Sequence, residues 1–323
     1  MKTNGLVQEP NFVQRVDWSR TRWVFPLGAS LLLWFAACGI SGRFTVDLLL
    51  DNITVASFVA LVAVGQMLVV GLGDGSFDLS IPYVMTVAAY LCGKSSGGSN
   101  TYLVLALLAG LSVGALAGAF TGVLVVGPGL PPVVATLATG YIAYTVVLLI
   151  GNGSQVIVAP GLISFGQNSW HGLTLVVLAA VVVMVAVALL RGQGRYGMYL
   201  HAIGQSRAAA ALAGVPVRRV IVLTFTLSGL LAAIAGILLS GYAGGAFADM
   251  GDTYLIASVA AIVVGGTSVR GGETAIAATA FGATTIALLI ALLELSGAAI
   301  GVQDIVQGAV IIGVVMVVTR AQR

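Results

Sequence analysis

Ten apolar stretches dominate this sequence, at 23–42, 52–72, 78–93, 101–126, 132–150, 171–190, 219–241, 253–266, 274–295 and 303–319. A helix needs roughly 20 apolar residues to cross a bilayer's hydrocarbon core. Inside lipid every backbone N–H and C=O has to find a partner within the protein, so only helices and closed barrels span. Barrel strands alternate apolar and polar residues over about ten positions; these runs are continuous. Charged residues are 8% of the 323, where a soluble domain carries roughly 25%. The spacing predicts an all-α polytopic membrane protein of about ten transmembrane segments. The third and eighth, 78–93 and 253–266, are short and read as broken or re-entrant helices; whether they cross fully stays open.

The formal charge of +3 is no sign of nucleic-acid binding; what matters is where charges sit relative to the bilayer. With the N-terminus in the cytoplasm and alternating spans, the inner side collects Lys2, Arg15, Arg20, Arg22, Arg191, Arg195, Arg207, Arg218, Arg219, Arg270, Arg320 and Arg323. The outer side holds only Arg43 and Lys94. Twelve against two is a strong positive-inside bias and predicts both termini in the cytoplasm. The predicted outer loops hold Asp47, Asp51, Asp249 and Asp252. Residues 1–22 read as a cytoplasmic tail ahead of a transmembrane domain, 23–323. Although "FAAC" ending at Cys38 faintly resembles a lipoprotein cleavage site, the long acid-containing leader favours a retained first span. Cys38 and Cys92 both fall in or near apolar segments, without zinc spacing or a disulfide framework.

Glycine is abundant, 43 residues, often at helical spacing as in Gly114 and Gly118 or Gly229 and Gly236. In lipid, small residues let helix backbones approach, and close packing is the expected use of most of them. One internal echo stands out: "VVGLGDGSFDLS" at 69–80 and "VVGGTSVRGGET" at 263–274 each leave an apolar segment through a glycine-rich polar stretch. Repeats of this kind, with broken helices, occur in transporters.

Within "GLGDGSFDLSIP", 71–82, glycines are expected to end one span. Ser76, Asp78 or Ser80 is expected to cap the next, with Pro82 tolerated in its first turn. An acid at the bilayer midplane costs on the order of 3 kcal/mol, which favours Asp74 and Asp78 at a helix start, where the dipole stabilises them. A capped turn and a role beside a solute pathway are compatible here. The longest predicted cytoplasmic loop, 191–220, carries five arginines and no acid. In it Ser206 is expected to cap a short alanine-rich helix, Gly214 to end it and Pro216 to forbid its continuation. An ordinary basic loop lying on anionic lipid is the alternative.

"HAIGQSRAAAALAGVPVRRV", with "LSGLLAAIAGILLS" and "IASVAAIVVGGTSVRGGE", resembles the ribose-type permease subunits of ATP-binding cassette importers. The resemblance runs from about residue 50 to the C-terminus. It implies a coupling loop that meets a separate ATP-hydrolysing subunit on the cytoplasmic side. It also implies a second permease subunit, identical or homologous, and a periplasmic solute-binding protein. ATP and magnesium would sit on the partner, with no cofactor on this chain, and the location would be a bacterial inner membrane. Residue by residue, Gly204, Ser206, Arg207, Ala208, Ala209, Leu212 and Gly214 fall in the coupling loop. Phe77, Asp78, Leu79 and Ser80, with Gly265, Gly266, Thr267 and Ser268, fall in the pathway or gate. Gly271 and Gly272 extend the second glycine-rich turn. Departures are Arg207 where the family often has Glu, Ala211 where it often has Arg, Ile81-Pro82 for Val-Gly, and Glu294 in place of an Asn-rich approach. Pro132, Thr136 and Leu137 keep the family's pattern.

No Gly-x-x-x-x-Gly-Lys-Ser/Thr phosphate loop is present, so the chain does not hydrolyse ATP by that route. His171 and His201, the only histidines, fall in different loops. A stand-alone secondary transporter or channel is the alternative; its proton coupling would rest on Asp78 and Glu294 alone. A membrane-embedded enzyme would need a catalytic cluster that cannot be assembled here. The outer "GNGSQ", with Asn152, Ser154 and Gln155, reads as a turn that could also meet a hydroxylated solute.

Overall fold

The computed structural model describes residues 23–42, 46–151, 155–268, 271–272 and 274–321. The tail 1–22, Arg43, Asn152, Ser154, Arg270, Arg323 and the side chain of Arg320 lie outside the described residues. Thirteen α-helices are described: α1 Val24–Ser41, α2 Val46–Gly71, α3 Ile81–Ser96, α4 Leu103–Val126, α5 Pro132–Gly151, α6 Pro160–Gln167, α7 Leu175–Gln193, α8 Arg195–Gln205, α9 Arg207–Leu212, α10 Val217–Ala243, α11 Asp252–Val264, α12 Ile276–Leu295 and α13 Ile300–Ala321. Four two-residue strands complete it: β1 Val156–Ile157, β2 Ser169–Trp170, β3 Leu173–Thr174 and β4 Gly245–Ala246. β1 pairs antiparallel with β4, and β2 with β3.

A helix lies at each of the ten apolar stretches, and seven of the described helices are long and apolar enough to cross a membrane. The chain is thus a polytopic helical membrane protein. The sixth stretch begins later than the sequence pattern suggests. Residues 169–174 form the β2–β3 hairpin, and α7 starts only at Leu175. The two short stretches remain short as helices. α3 has 16 residues and α11 has 13, about 24 and 20 Å at 1.5 Å per residue, against a hydrocarbon core of roughly 30 Å.

α2, α3, α10 and α11 form the buried centre, whereas α1, α4, α5, α7 and α13 present broad exposed faces. The α4–α10 pair shows what the glycines do. Gly110, Gly114, Gly118 and Gly122 stand four residues apart on one face of α4. A Cβ on these would run into Ile237, Gly229 and Ala233, the Phe225 carbonyl and Val222 on α10. With no Cβ the two backbones touch, and lipid-phase association gains from dispersion contacts rather than from expelling water. Gly236 of α10 lies in the same way against the Met85 backbone of α3. At the other edge, Ser30 and Thr285 hydroxyls are 2.9 Å apart, and Thr285 donates to the Pro26 carbonyl, joining α1 to α12. Cys38 and Cys92 are free and buried.

Candidate functional site

α2 ends at Gly71, and the chain then turns back through Gly73, Asp74 and Gly75, all left-handed with φ of 73°, 51° and 65°. Glycine adopts this region without cost, and aspartate is among the few other residues that tolerate it. α11 ends comparably: Gly266 has φ 73°, and the Thr267 N–H reaches back to the Ile262 carbonyl at 2.9 Å, closing the last turn in a Schellman arrangement. The two echoing stretches meet. The Gly272 N–H donates to the Gly71 carbonyl at 3.1 Å, and Gly271 packs on Gly73 so closely that a Cβ would sit 2.6 Å from the Gly73 nitrogen.

A third backbone enters the same point. Gly204, one residue before the end of α8, presses on both the Gly71 carbonyl and the Gly272 nitrogen, and a Cβ there would collide with each. His201, one turn earlier, places Nδ1 2.6 Å from the Gly272 carbonyl. The 191–218 loop is therefore two helices, α8 and α9, rather than one. Ser206 separates them and caps α9, accepting from the Ala209 N–H at 3.3 Å. Gly214 at φ 80° ends α9, and Pro216 precedes α10, as the sequence pattern suggests. Ala208, Ala209 and Leu212 face outward, Leu212 being 91% exposed. Arg207, the first residue of α9, turns inward. Its Nε lies 2.9 Å from Asp74 Oδ2, and a terminal nitrogen donates to Ser76 Oγ at 3.1 Å.

The two acids of the first break thus part company. Asp74 is largely exposed and faces Arg207. Asp78 is 1% exposed and belongs to the bundle interior. Its Oδ1 accepts from the Ser80 hydroxyl at 2.6 Å and the Ser80 N–H at 3.0 Å, and Oδ2 accepts from the Ser228 hydroxyl of α10 at 2.7 Å. The Asp78 N–H donates to Gln66 Oε1 of α2 at 3.2 Å. The capping expectation is corrected accordingly. Ser80 occupies the N-cap position of α3 without a side-chain cap bond, and neither acid nor Ser76 caps the helix. The carboxylate is committed to a hydroxyl on another helix, which sequence spacing does not reveal. Phe77 and Leu79 are half-buried, and the Thr136 hydroxyl of α5 reaches the Phe77 carbonyl at 3.4 Å.

Gly265, Gly266, Thr267 and Ser268 follow α11. A Cβ on Gly265 would press on the Ala278 carbonyl of α12 at 2.7 Å. Thr267 is buried, and its hydroxyl has no hydrogen-bond partner among the described residues. Glu294 is exposed near the end of α12. The structure therefore joins 71–80, 201–207 and 271–272 in one assembly. Gln66, Ser228 and His201 are members that the motif reading missed. Their only sequence signal is polarity within otherwise apolar or basic stretches.

Among the described residues no group of three or more His, Cys, Asp or Glu is placed to hold a metal ion. Comparison with known proteins finds a match over residues 48–315 to the family model described as branched-chain amino acid transport system / permease component. The chain is 34% identical over 271 residues to a galactofuranose transporter permease protein of Escherichia coli K12, covering 83% of this chain and 78% of that one. It is 32% identical over 290 residues to the ribose import permease protein of the same strain, covering 86% and 88%. A fructose import permease protein of Rhizobium meliloti is 32% identical over 264 residues, covering 79% and 72%. No solved structure matches.

Proposed function

The chain belongs to the permease component family of ATP-binding cassette importers, and from that premise we propose that it moves a monosaccharide or similar small hydroxylated solute inward by alternating access. Membership makes it a translocation subunit and not an enzyme, with ATP hydrolysed on a separate subunit and solute delivered by a binding protein. Our reading adds a second permease subunit, identical or homologous, a bacterial inner-membrane location, and about ten transmembrane segments, some broken or re-entrant, with both termini cytoplasmic. The twelve-to-two distribution of Lys and Arg supports this orientation. ATP and magnesium would be held by the ATPase, with the 191–218 loop facing it.

The observation that carries the mechanism is the wedge of α8 between the two breaks. Gly204 touches Gly71 and Gly272 at once, and Arg207 holds Asp74 and Ser76. A displacement imposed on the exposed face of α9 is transmitted to both breaks through backbone contact, without a soft side chain to absorb it. Packed junctions of this kind switch between discrete arrangements rather than deforming smoothly. The residues 77–80 and 265–268 lie just beyond the junction and would move with it.

A monosaccharide fits better than an amino acid despite the family description. Among the described residues the cations with described side chains are Lys94, Arg191, Arg195, Arg207, Arg218 and Arg219. Each sits at a helix end or in the α7–α10 connection, and none lies midway along a spanning helix to pair a substrate carboxylate. The relatives named for ribose, fructose and galactofuranose point the same way.

The test is purification from mild detergent through a C-terminal tag, with identification of retained proteins and uptake assayed in proteoliposomes. A soluble subunit carrying a phosphate loop, lost when 204–214 is altered, together with ATP-dependent uptake of labelled ribose, fructose or galactofuranose, is expected. Uptake by the chain alone, without nucleotide, would instead establish the stand-alone transporter.

A further inference from the structure

Three tyrosines gather on one face of the bundle. Tyr83 of α3 lies with its ring centroid 6.1 Å from that of Tyr141 and 5.5 Å from that of Tyr144, both on α5. Gly140 makes room, since a Cβ there would come within 2.8 Å of the Tyr83 ring. Tyr141 is 61% exposed and Tyr144 36%. None of the three hydroxyls has a hydrogen-bond partner among the described residues.

Their depth makes this informative. α5 has 20 residues, from Pro132 to Gly151, so Tyr141 and Tyr144 lie about 14 and 18 Å along a helix of about 30 Å. Tyrosine favours the two membrane–water interfaces, where its hydroxyl stays wet. A mid-span hydroxyl facing hydrocarbon would lack any partner, at a cost of a few kcal/mol. Three of them on one open face indicate that the face meets water or solute.

The carboxylate of Asp252 enters the same region. It is the first residue of α11, and the neighbouring Gly251 packs against the Pro82 carbonyl and the Thr86 hydroxyl of α3, on either side of Tyr83 in sequence. α11 reaches only about 20 Å from its cytoplasmic end. Its N-terminus therefore begins inside the bundle, beside the N-terminus of α3, which is also short. Two discontinuous helices starting at a common point are where transporters place their solute sites.

We propose that Tyr83, Tyr141 and Tyr144, with Asp252, form a water-accessible contact site for the passing solute, and that this site takes a neutral hydroxylated ring rather than an anion. Aromatic faces pack against the C–H faces of such a ring while the phenol hydroxyls and the carboxylate exchange hydrogen bonds with its hydroxyls. No described cation stands beside the tyrosines to hold an anion. Contacts of this sort are individually weak, as passage requires. The inference deepens the import reading and rests on it for the identity of the solute.

Cysteine accessibility tests it in proteoliposomes holding the whole transporter. Tyr141→Cys and Tyr144→Cys are treated with membrane-impermeant methanethiosulfonates, one anionic and one cationic. Leu116→Cys, on the exposed face of α4, reports lipid, and the wild-type chain with its two buried cysteines gives the background. The expected result is labelling at 141 and 144 roughly tenfold faster than at 116. The cationic reagent should be faster than the anionic one, and Asp252→Asn should narrow that difference. Labelling as slow as at 116 overturns the site. Faster labelling by the anionic reagent overturns the class of solute. Neither outcome depends on nucleotide, so failure here with intact ATP-driven uptake leaves the import reading standing. Fast labelling without ATP-driven uptake does the reverse.

Discussion

Arg207 Nε stands 2.9 Å from Asp74 Oδ2, and this pair ties the first turn of α9 to the left-handed turn that follows α2. Both side chains reach solvent, and an exposed ion pair contributes about 0.5 kcal/mol. Its importance is positional. Arg207→Ala and Asp74→Ala are expected to leave the melting temperature nearly unchanged while lowering uptake per ATP hydrolysed. The charge-swapped double variant Arg207→Asp with Asp74→Arg should recover part of the coupling that each single reversal loses. Equal coupling ratios in all variants and wild type would remove this role.

Asp78 should respond differently from Asp74. Its carboxylate is buried and takes three hydrogen bonds, one from Ser228 on α10. Asp78→Ala leaves the Ser80 and Ser228 hydroxyls and the Ser80 N–H without an acceptor, each loss costing about 1–3 kcal/mol. It should lower uptake and thermal stability more than Asp74→Ala at equal expression. Asp78→Asn keeps one acceptor oxygen and should fall between. Wild-type-like uptake and melting in both alanine variants would reject the distinction.

Gly204 is the narrowest point of the junction. Gly204→Ala places a methyl between the Gly71 carbonyl and the Gly272 nitrogen. The membrane bundle should still assemble, because the clash is confined to the last turn of α8, whose buried Tyr196, Leu200 and Ile203 are unchanged. Uptake should fall several-fold, while ATP hydrolysis by the bound partner continues. Gly192→Ala, where a Cβ meets nothing within 4 Å, is the matched control and should behave as wild type.

The glycine seam of α4 is structural. Gly118→Ala drives a methyl into the Phe225 carbonyl. Overpacking of this sort costs about 1–3 kcal/mol, so the detergent-solubilised protein should melt several degrees lower. Gly39→Ala, with open space around it, should not. Matching melting temperatures would mean that α4 and α10 separate without penalty.

How far residues could be read from the chain depends on the range of the force that places them. The apolar runs, Ser206 as a cap, Gly214 as a stop and the short lengths of α3 and α11 were legible, since each follows from local hydropathy, sterics or backbone geometry. The late start of α7 was not, because a hairpin of six residues and an apolar helix start look alike in composition. The expectation that Asp78 or a neighbouring serine caps the next helix failed for a related reason. Local propensity favours capping, but Asp78 finds a stronger arrangement with Ser228, 150 positions away.

By itself the sequence determined a membrane-embedded helical chain with two glycine-rich breaks and a helical basic loop. These follow from hydrophobicity and backbone freedom, which act over a turn or two. Only the tertiary structure decided that both breaks and the loop meet at Gly71, Gly204 and Gly272, that Arg207 faces Asp74, and that three tyrosines from two helices share an open face. Such meetings depend on how close packing brings distant backbones together, and no local property of the chain records them.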